Sequence, residues 1–160
     1  MQISREIQLD YGHTIPNHYG FCNQIHGHRA RVIATIKGEI SKNKGDSSEG
    51  MVLDFKFLKQ LMMDKIHSVL DHGFAVWVKD IKDLKFIRER NKNILVTLEP
   101  PTAEYLAKWS YIQLASGMPE GIYLISVRWY ETPNSYATYS WEDLRKEEKL
   151  KEQEIHTIHN

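Results

Sequence analysis

The segment His26–Ile40 (HGHRARVIATIKGEI) constrains the fold most. Val32, Ala34 and Ile36 fall on one face of an alternating run, the pattern of a long half-buried strand. Such a strand needs a neighbour to pair with and a layer to cover its apolar face. Met1–Leu9 (MQISREIQL) alternates in the same way and supplies a first strand. Tyr11–Phe21, with Gly12, Pro16, Asn17 and Gly20, reads as a loop. Met51–Leu53 completes a returning strand after the polar loop Ser41–Gly50.

Two helices follow. Asp54 is placed to cap Phe55–Leu70, where Leu58, Leu61, Met62, Ile66 and Val69 recur at helical spacing. Thr102 is placed to cap a helix through about Ala115, closed by Gly117 and Pro119. Short elements lie between: an apolar strand within Asp71–Val78, a charged helix within residues 79–93, and a strand at Ile94–Leu98. Gly121–Glu131 and Ser135–Trp141 read as a hairpin about Pro133-Asn134. The main strands come in adjacent pairs, which favours antiparallel pairing. The expected fold is α+β, with two helices on one face of a four-stranded antiparallel sheet.

The chain has 160 residues, close to the ~150 expected of one domain. Residues 1–141 form that domain. Residues 142–160 carry six acids and four bases and read as a charged tail, either a solvated helix or disordered. The 21 Lys/Arg and 21 Asp/Glu cancel, so no global field draws the chain to nucleic acid or an anionic membrane. It has no apolar run long enough to span a bilayer, and Met1–Asp10 lacks a signal-peptide core. The single cysteine, Cys22, excludes an internal disulfide and points to a reducing, cytoplasmic setting.

Eight histidines are unevenly spread, four of them between His13 and His28. His26 and His28 are two apart in a strand, so both imidazoles project from one face and can reach one metal ion. His13, at the end of the first strand, is the natural third ligand. Three imidazoles on Zn²⁺ leave a fourth position open, which is the catalytic pattern. Cys22 can be a fourth ligand, a reactive thiolate or a buried apolar residue. In Asp71-His72 a carboxylate adjoins an imidazole, although neighbours in a strand face opposite ways.

These pieces together resemble the 6-pyruvoyl-tetrahydropterin synthase family, over about Leu9 to Tyr139. In order they are His13, Cys22-x-x-x-His26-Gly27-His28, Gly50-Met51-Val52-Leu53-Asp54-Phe55, Leu70-Asp71-His72, Pro101-Thr102-Ala103-Glu104 and Glu131-Thr132. The three-residue gap between Cys22 and His26 resembles the 6-carboxy-tetrahydropterin synthases of the queuosine pathway. The resemblance implies zinc on His13, His26 and His28, Cys22 as proton acceptor, and Asp71 and His72 working with that thiol. It implies Glu131 as the carboxylate anchoring the pterin, with Thr102 and Glu104 bordering the pocket. The implied substrate is 7,8-dihydroneopterin triphosphate. The implied assembly is a barrel of the tunnelling fold, a homohexamer with sites between subunits. A pyruvoyl-forming synthase or an aldolase on the same ligands is the alternative, as is a zinc-stabilised binding module using Cys22 as fourth ligand. The chain departs from many members at Leu9-Asp10-Tyr11-Gly12, at Ala75-Val76-Trp77 and in the long segment 79–93.

Overall fold

The computed structural model describes residues 1–158; His159 and Asn160, the end of the expected tail, lie outside the described residues. In chain order the elements are β1 (Gln2–His13), a 3-10 turn (Phe21–Asn23), β2 (His26–Lys37), α1 (Phe55–Met62), a π-helical turn (Met63–His67), α2 (Ser68–Leu70), β3 (Gly73–Trp77), α3 (Ile81–Arg88), β4 (Ile94–Thr97), α4 (Ala103–Ala115), β5 (Tyr123–Thr132), β6 (Ser135–Ser140) and α5 (Trp141–Ile158).

They build one six-stranded sheet in the order β4-β3-β1-β2-β5-β6. The expected four-stranded antiparallel sheet is only its larger part, β1-β2-β5-β6. β3 joins the free edge of β1 in parallel, and β4 joins β3 in parallel. The sheet is therefore mixed, and the expectation of four strands is corrected. Helical connections deliver both parallel neighbours: the α1–α2 segment brings the chain back to start β3 along β1, and α3 carries it from the end of β3 to the start of β4.

β1 also runs four residues beyond its expected end, to His13. Ile7, Leu9, Tyr11 and His13 are all buried, so the alternation continues through the segment that reads as loop. Met51–Leu53 is not a strand. Ser41 and Gly50 close their loop instead, through Ser41 N–H to the Met51 carbonyl at 2.8 Å and Gly50 N–H to the Ser41 carbonyl at 3.0 Å.

The main core lies between the inward face of the sheet and two helical segments. Leu58, Met62, Ile66 and Leu70 are fully buried and stand four residues apart. In a regular α-helix a four-residue step overshoots one turn by about 40°. The wider π-helical turn takes up part of that drift and keeps the four side chains on one stripe. Asp54 caps α1 by accepting from the Lys56 N–H at 2.7 Å. α4 covers β5 and β6, burying Leu106, Tyr111 and Leu114. Phe74, Val76 and Ile87 form a second, smaller cluster with α3, while Ala75 of the same strand joins the main core. Thus α3 sits on the opposite face from α1 and α4.

The charged C-terminal segment is helical from Trp141. Ser140 and Asp143 cap it reciprocally: the Asp143 carboxylate accepts from Ser140 N–H at 2.9 Å, and the Ser140 hydroxyl accepts from Asp143 N–H at 3.3 Å. Leu144 packs on the main core and Glu147 pairs with Lys108 at 2.6 Å, so the first turns are docked.

Candidate metal centre and its surroundings

The inward face of β1 and β2 is apolar along most of its length and becomes imidazole at one end. Register does this: His13 lies opposite His26, and Tyr11 opposite His28. Gly27 lies opposite Gly12, and a Cβ at Gly27 would meet the Tyr11 carbonyl oxygen at 2.8 Å. The missing side chain lets the two strands close up between the histidines. The three rings converge, with centroids 4.5, 5.1 and 5.0 Å apart, and one nitrogen from each lies within 4.8 Å of the others.

Two of these rings have their tautomer set by a backbone carbonyl. His13 Nδ1 is 2.7 Å from the Pro101 carbonyl oxygen and His26 Nδ1 is 2.8 Å from that of Gln24. A carbonyl only accepts, so each Nδ1 carries a proton, and in the metal-binding form of each ring Nε2 is the nitrogen that offers a lone pair. Those two Nε2 atoms are 3.0 Å apart. Two lone pairs at that distance repel unless a cation lies between or beside them. Burial pushes the His13 imidazole down to about 4, against the pull of the Pro101 carbonyl, with His26 and His28 adding to the fall. Burial, then His26, lowers His28 as well. Oriented, converging imidazoles are the donor set of a zinc-type site, so His13, His26 and His28 can hold a metal ion. Cys22 is not in the converging group.

Glu131 approaches this cluster from β5, its Oε1 3.9 Å from His13 Nε2. Burial raises its carboxyl, an O–H donated by Tyr11 at 3.3 Å opposes the rise, and the Glu104 charge adds to it. Glu104 stands in the first turn of α4. Thr102 is the helix cap, its hydroxyl accepting from Tyr105 N–H at 3.4 Å. The start of α4 therefore adjoins the histidines through Pro101 and Glu131 through Glu104.

Asp71 and His72 contact each other directly, although neighbours in a strand would diverge. His72 has φ +52°, a left-handed backbone that turns its ring back to its neighbour. Its Nδ1 is 2.8 Å from Asp71 Oδ2, while Asp71 Oδ1 accepts from Asp10 N–H at 3.0 Å. His67 lies 3.6 Å from the same Oδ2. Burial works against the Asp71 charge, but the Asp10 N–H and the two histidines prevail and hold the carboxyl below its usual range. The Asp71 hydrogen bond and charge raise His72. The His72 side chain is 80% exposed. It shares an open hollow of about 370 Å³ with His28.

Cys22 lies in the 3-10 turn of the β1–β2 connection, held through its carbonyl, which accepts from Ile15 N–H at 2.8 Å. It is partly exposed and makes no hydrogen bond to Asp71 or His72. One chain thus unites His13, His26, His28, Glu131, Glu104 and the Thr102 cap, but not Cys22 with Asp71-His72. A second hollow, about 390 Å³, joins His28 and Glu131 to Arg29 and Arg31. Arg29 already makes a two-point pair with Asp10 at 2.9 and 3.0 Å. Sequence reasoning missed Tyr11 and the Pro101 and Gln24 carbonyls. Tyr11 shows in the sequence as the next inward position of the β1 alternation; the carbonyls leave no signal.

The fold and this cluster define a tetrahydropterin-synthase type of protein. The structure matches a Wolinella succinogenes protein of unassigned function with TM-score 0.72 and 25% identity, covering 88% of this chain and 98% of that one. It matches the fold of Caenorhabditis elegans 6-pyruvoyl tetrahydropterin synthase with TM-score 0.63 and 24% identity, covering 88% and 94%. The family model "6-pyruvoyl tetrahydropterin synthase" matches residues 2–142. The chain belongs to that family, whose members are lyases acting on pterins. A Haemophilus influenzae relative named 6-carboxy-5,6,7,8-tetrahydropterin synthase is 28% identical over 141 residues, covering 86% of this chain and 97% of the relative. A Pyrococcus horikoshii relative given the same name provisionally is 36% identical over 143 residues, covering 81% and 83%. No helix among the described residues is long and apolar enough to cross a membrane.

Proposed function

We propose that this chain is a zinc-dependent 6-carboxy-tetrahydropterin synthase. It converts 7,8-dihydroneopterin triphosphate and water to 6-carboxy-5,6,7,8-tetrahydropterin, acetaldehyde and triphosphate, in 7-deazaguanine (queuosine-type) biosynthesis. One observation carries the reading: three imidazoles converge beside a carboxylate in a chain with relatives named 6-carboxy-5,6,7,8-tetrahydropterin synthase.

His13, His26 and His28 hold the ion, which when bound supplies Lewis acidity toward the substrate's side-chain hydroxyls. Glu131 and Glu104 meet the N–H edge of the pterin, where a half-buried carboxylate makes strong, directional hydrogen bonds. Cys22, as thiolate, takes the proton from the side-chain carbon. His72, its protonated form favoured by Asp71, shuttles a proton at the reacting carbon. Cys22 and the Asp71-His72 pair do not meet within one chain, so they complete the site between subunits of a closed oligomer, a hexamer. Incubation of the metal-loaded protein with 7,8-dihydroneopterin triphosphate, followed by mass analysis, tests the reading. A carboxy product supports it; a diketone or a hydroxymethyl pterin replaces it with the pyruvoyl-type or aldolase reaction.

A further inference from the structure

Tyr11 stands where the chain departs from the family pattern, and its side chain is built into the candidate site. It is only 4% exposed, and Trp129 beside it is fully buried. Its hydroxyl lies 3.3 Å from Trp129 Nε1 and 3.3 Å from Glu131 Oε1. An indole N–H only donates, so the Tyr11 oxygen accepts it. The single Tyr11 proton is then left for Glu131. The ring cannot swing aside, being packed on His13, His28 and Trp129 at centroid distances of 5.2, 6.0 and 5.3 Å.

Glu131 needs such a tie. The pairing of β5 with β6 slips between Tyr130 and Thr132, which leaves Glu131 as the bulged residue. A bulged residue is not aimed by its own ladder partner, so its direction has to be set by a side-chain contact.

We propose that Tyr11 is a positioning residue for pterin binding: the directed chain Trp129–Tyr11–Glu131 holds one carboxylate oxygen of Glu131 and so aims the group at the ring's N–H edge. This rests on the functional reading above. Removing a hydrogen bond to a charged group weakens binding by about tenfold to a hundredfold.

The test is Tyr11→Phe, which keeps the ring and removes the hydroxyl. It is measured on zinc-loaded protein with 7,8-dihydroneopterin as a fluorescent ligand, beside metal content and steady-state turnover of the triphosphate. The expected result is an unchanged zinc stoichiometry, binding about tenfold to a hundredfold weaker, and a loss seen in KM more than in kcat. In a Glu131→Gln background the same substitution adds little further loss, because the group it aims has already been altered. Equal losses in both backgrounds, or a loss of zinc, assign Tyr11 to packing around the histidines and overturn the inference. Wild-type binding with an unaltered Tyr11→Phe overturns this inference alone. Wild-type protein that binds no pterin overturns the functional reading first.

Discussion

The imidazole cluster and the Asp71-His72 pair are built in opposite ways. His13, His26 and His28 stand on two long strands in fixed register, turned inward, with the Nδ1 of two of the three rings tied to a backbone carbonyl. Asp71 and His72 stand at a turn, and His72 is charged-favouring, left-handed and turned to solvent. Strand register pre-organises the first group with no help from outside the chain. The second is anchored at its base, where Asp10 and His67 hold Asp71, and the His72 ring faces outward. Cys22 resembles the second group, lying on a connection rather than on a strand. The difference teaches that strand register alone assembles the imidazole cluster within one chain, while Cys22 and the Asp71-His72 pair, set on connections, stay apart from it.

The largest effect that bears on this contrast is at the metal site. His28→Ala removes one of three ligands and is expected to drop the purified protein's zinc from near one per chain to background, abolishing product. Elemental analysis and mass analysis check the two losses separately. Retained zinc would show that the cluster is not the site.

Cys22→Ala is expected to keep its zinc and lose turnover by about 10²- to 10⁴-fold, the range for a lost general base. His72→Ala should behave in the same way. The two inactive variants, mixed and reassembled, should recover turnover if Cys22 of one subunit works with His72 of another. No recovery in mixed oligomers would place both groups within a single chain and remove the contrast drawn above.

A smaller effect concerns the charge on His72. Asp71 raises its pKa, so Asp71→Asn is expected to move the His72 titration to lower pH, read by proton NMR. Because the folded-state value is raised, the Asp71-His72 interaction contributes to stability at pH values below the ordinary histidine range. That contribution is lost as pH rises through the raised value. The ring is too exposed for the contribution to be large. An unmoved titration would show that the 2.8 Å contact with Asp71 does not persist in solution.

How much of this was legible in the sequence follows from the same contrast. His26-x-His28 on a strand requires no tertiary information, because side-chain direction has period two. His13 followed from its place at the end of a strand. Tyr11 was lost because Gly12, Pro16 and Gly20 signal a loop, whereas β1 keeps its inward alternation through Tyr11 to His13 before the chain turns. The parallel edge was illegible for a different reason. β3 and β4 are short, and their directions are decided by the helical connections that precede them, α1–α2 before β3 and α3 before β4, not by their own residues. Asp71-His72 was readable as a motif, but not as a contact, since nothing in the dipeptide announces a left-handed His72. The meeting of Glu104 with Glu131 needs α4 laid against β5, a purely tertiary fact.

The smallest effect separates two duties of Thr102. Its hydroxyl caps α4, and the preceding Pro101 carbonyl holds His13 Nδ1. As a cap it contributes about 0.5–2 kcal/mol, so Thr102→Ala should lower the melting temperature by a few degrees. If capping is the whole role, Thr102→Ser, which retains an oxygen acceptor, restores the melting temperature together with zinc affinity. Substrate KM then follows the cap in both variants. If Thr102 also touches the pterin through its methyl group, the serine variant recovers stability and zinc but keeps a raised KM. Thr102 follows the proline whose carbonyl holds His13, and this split assigns it to the cap alone or to the cap and the pterin.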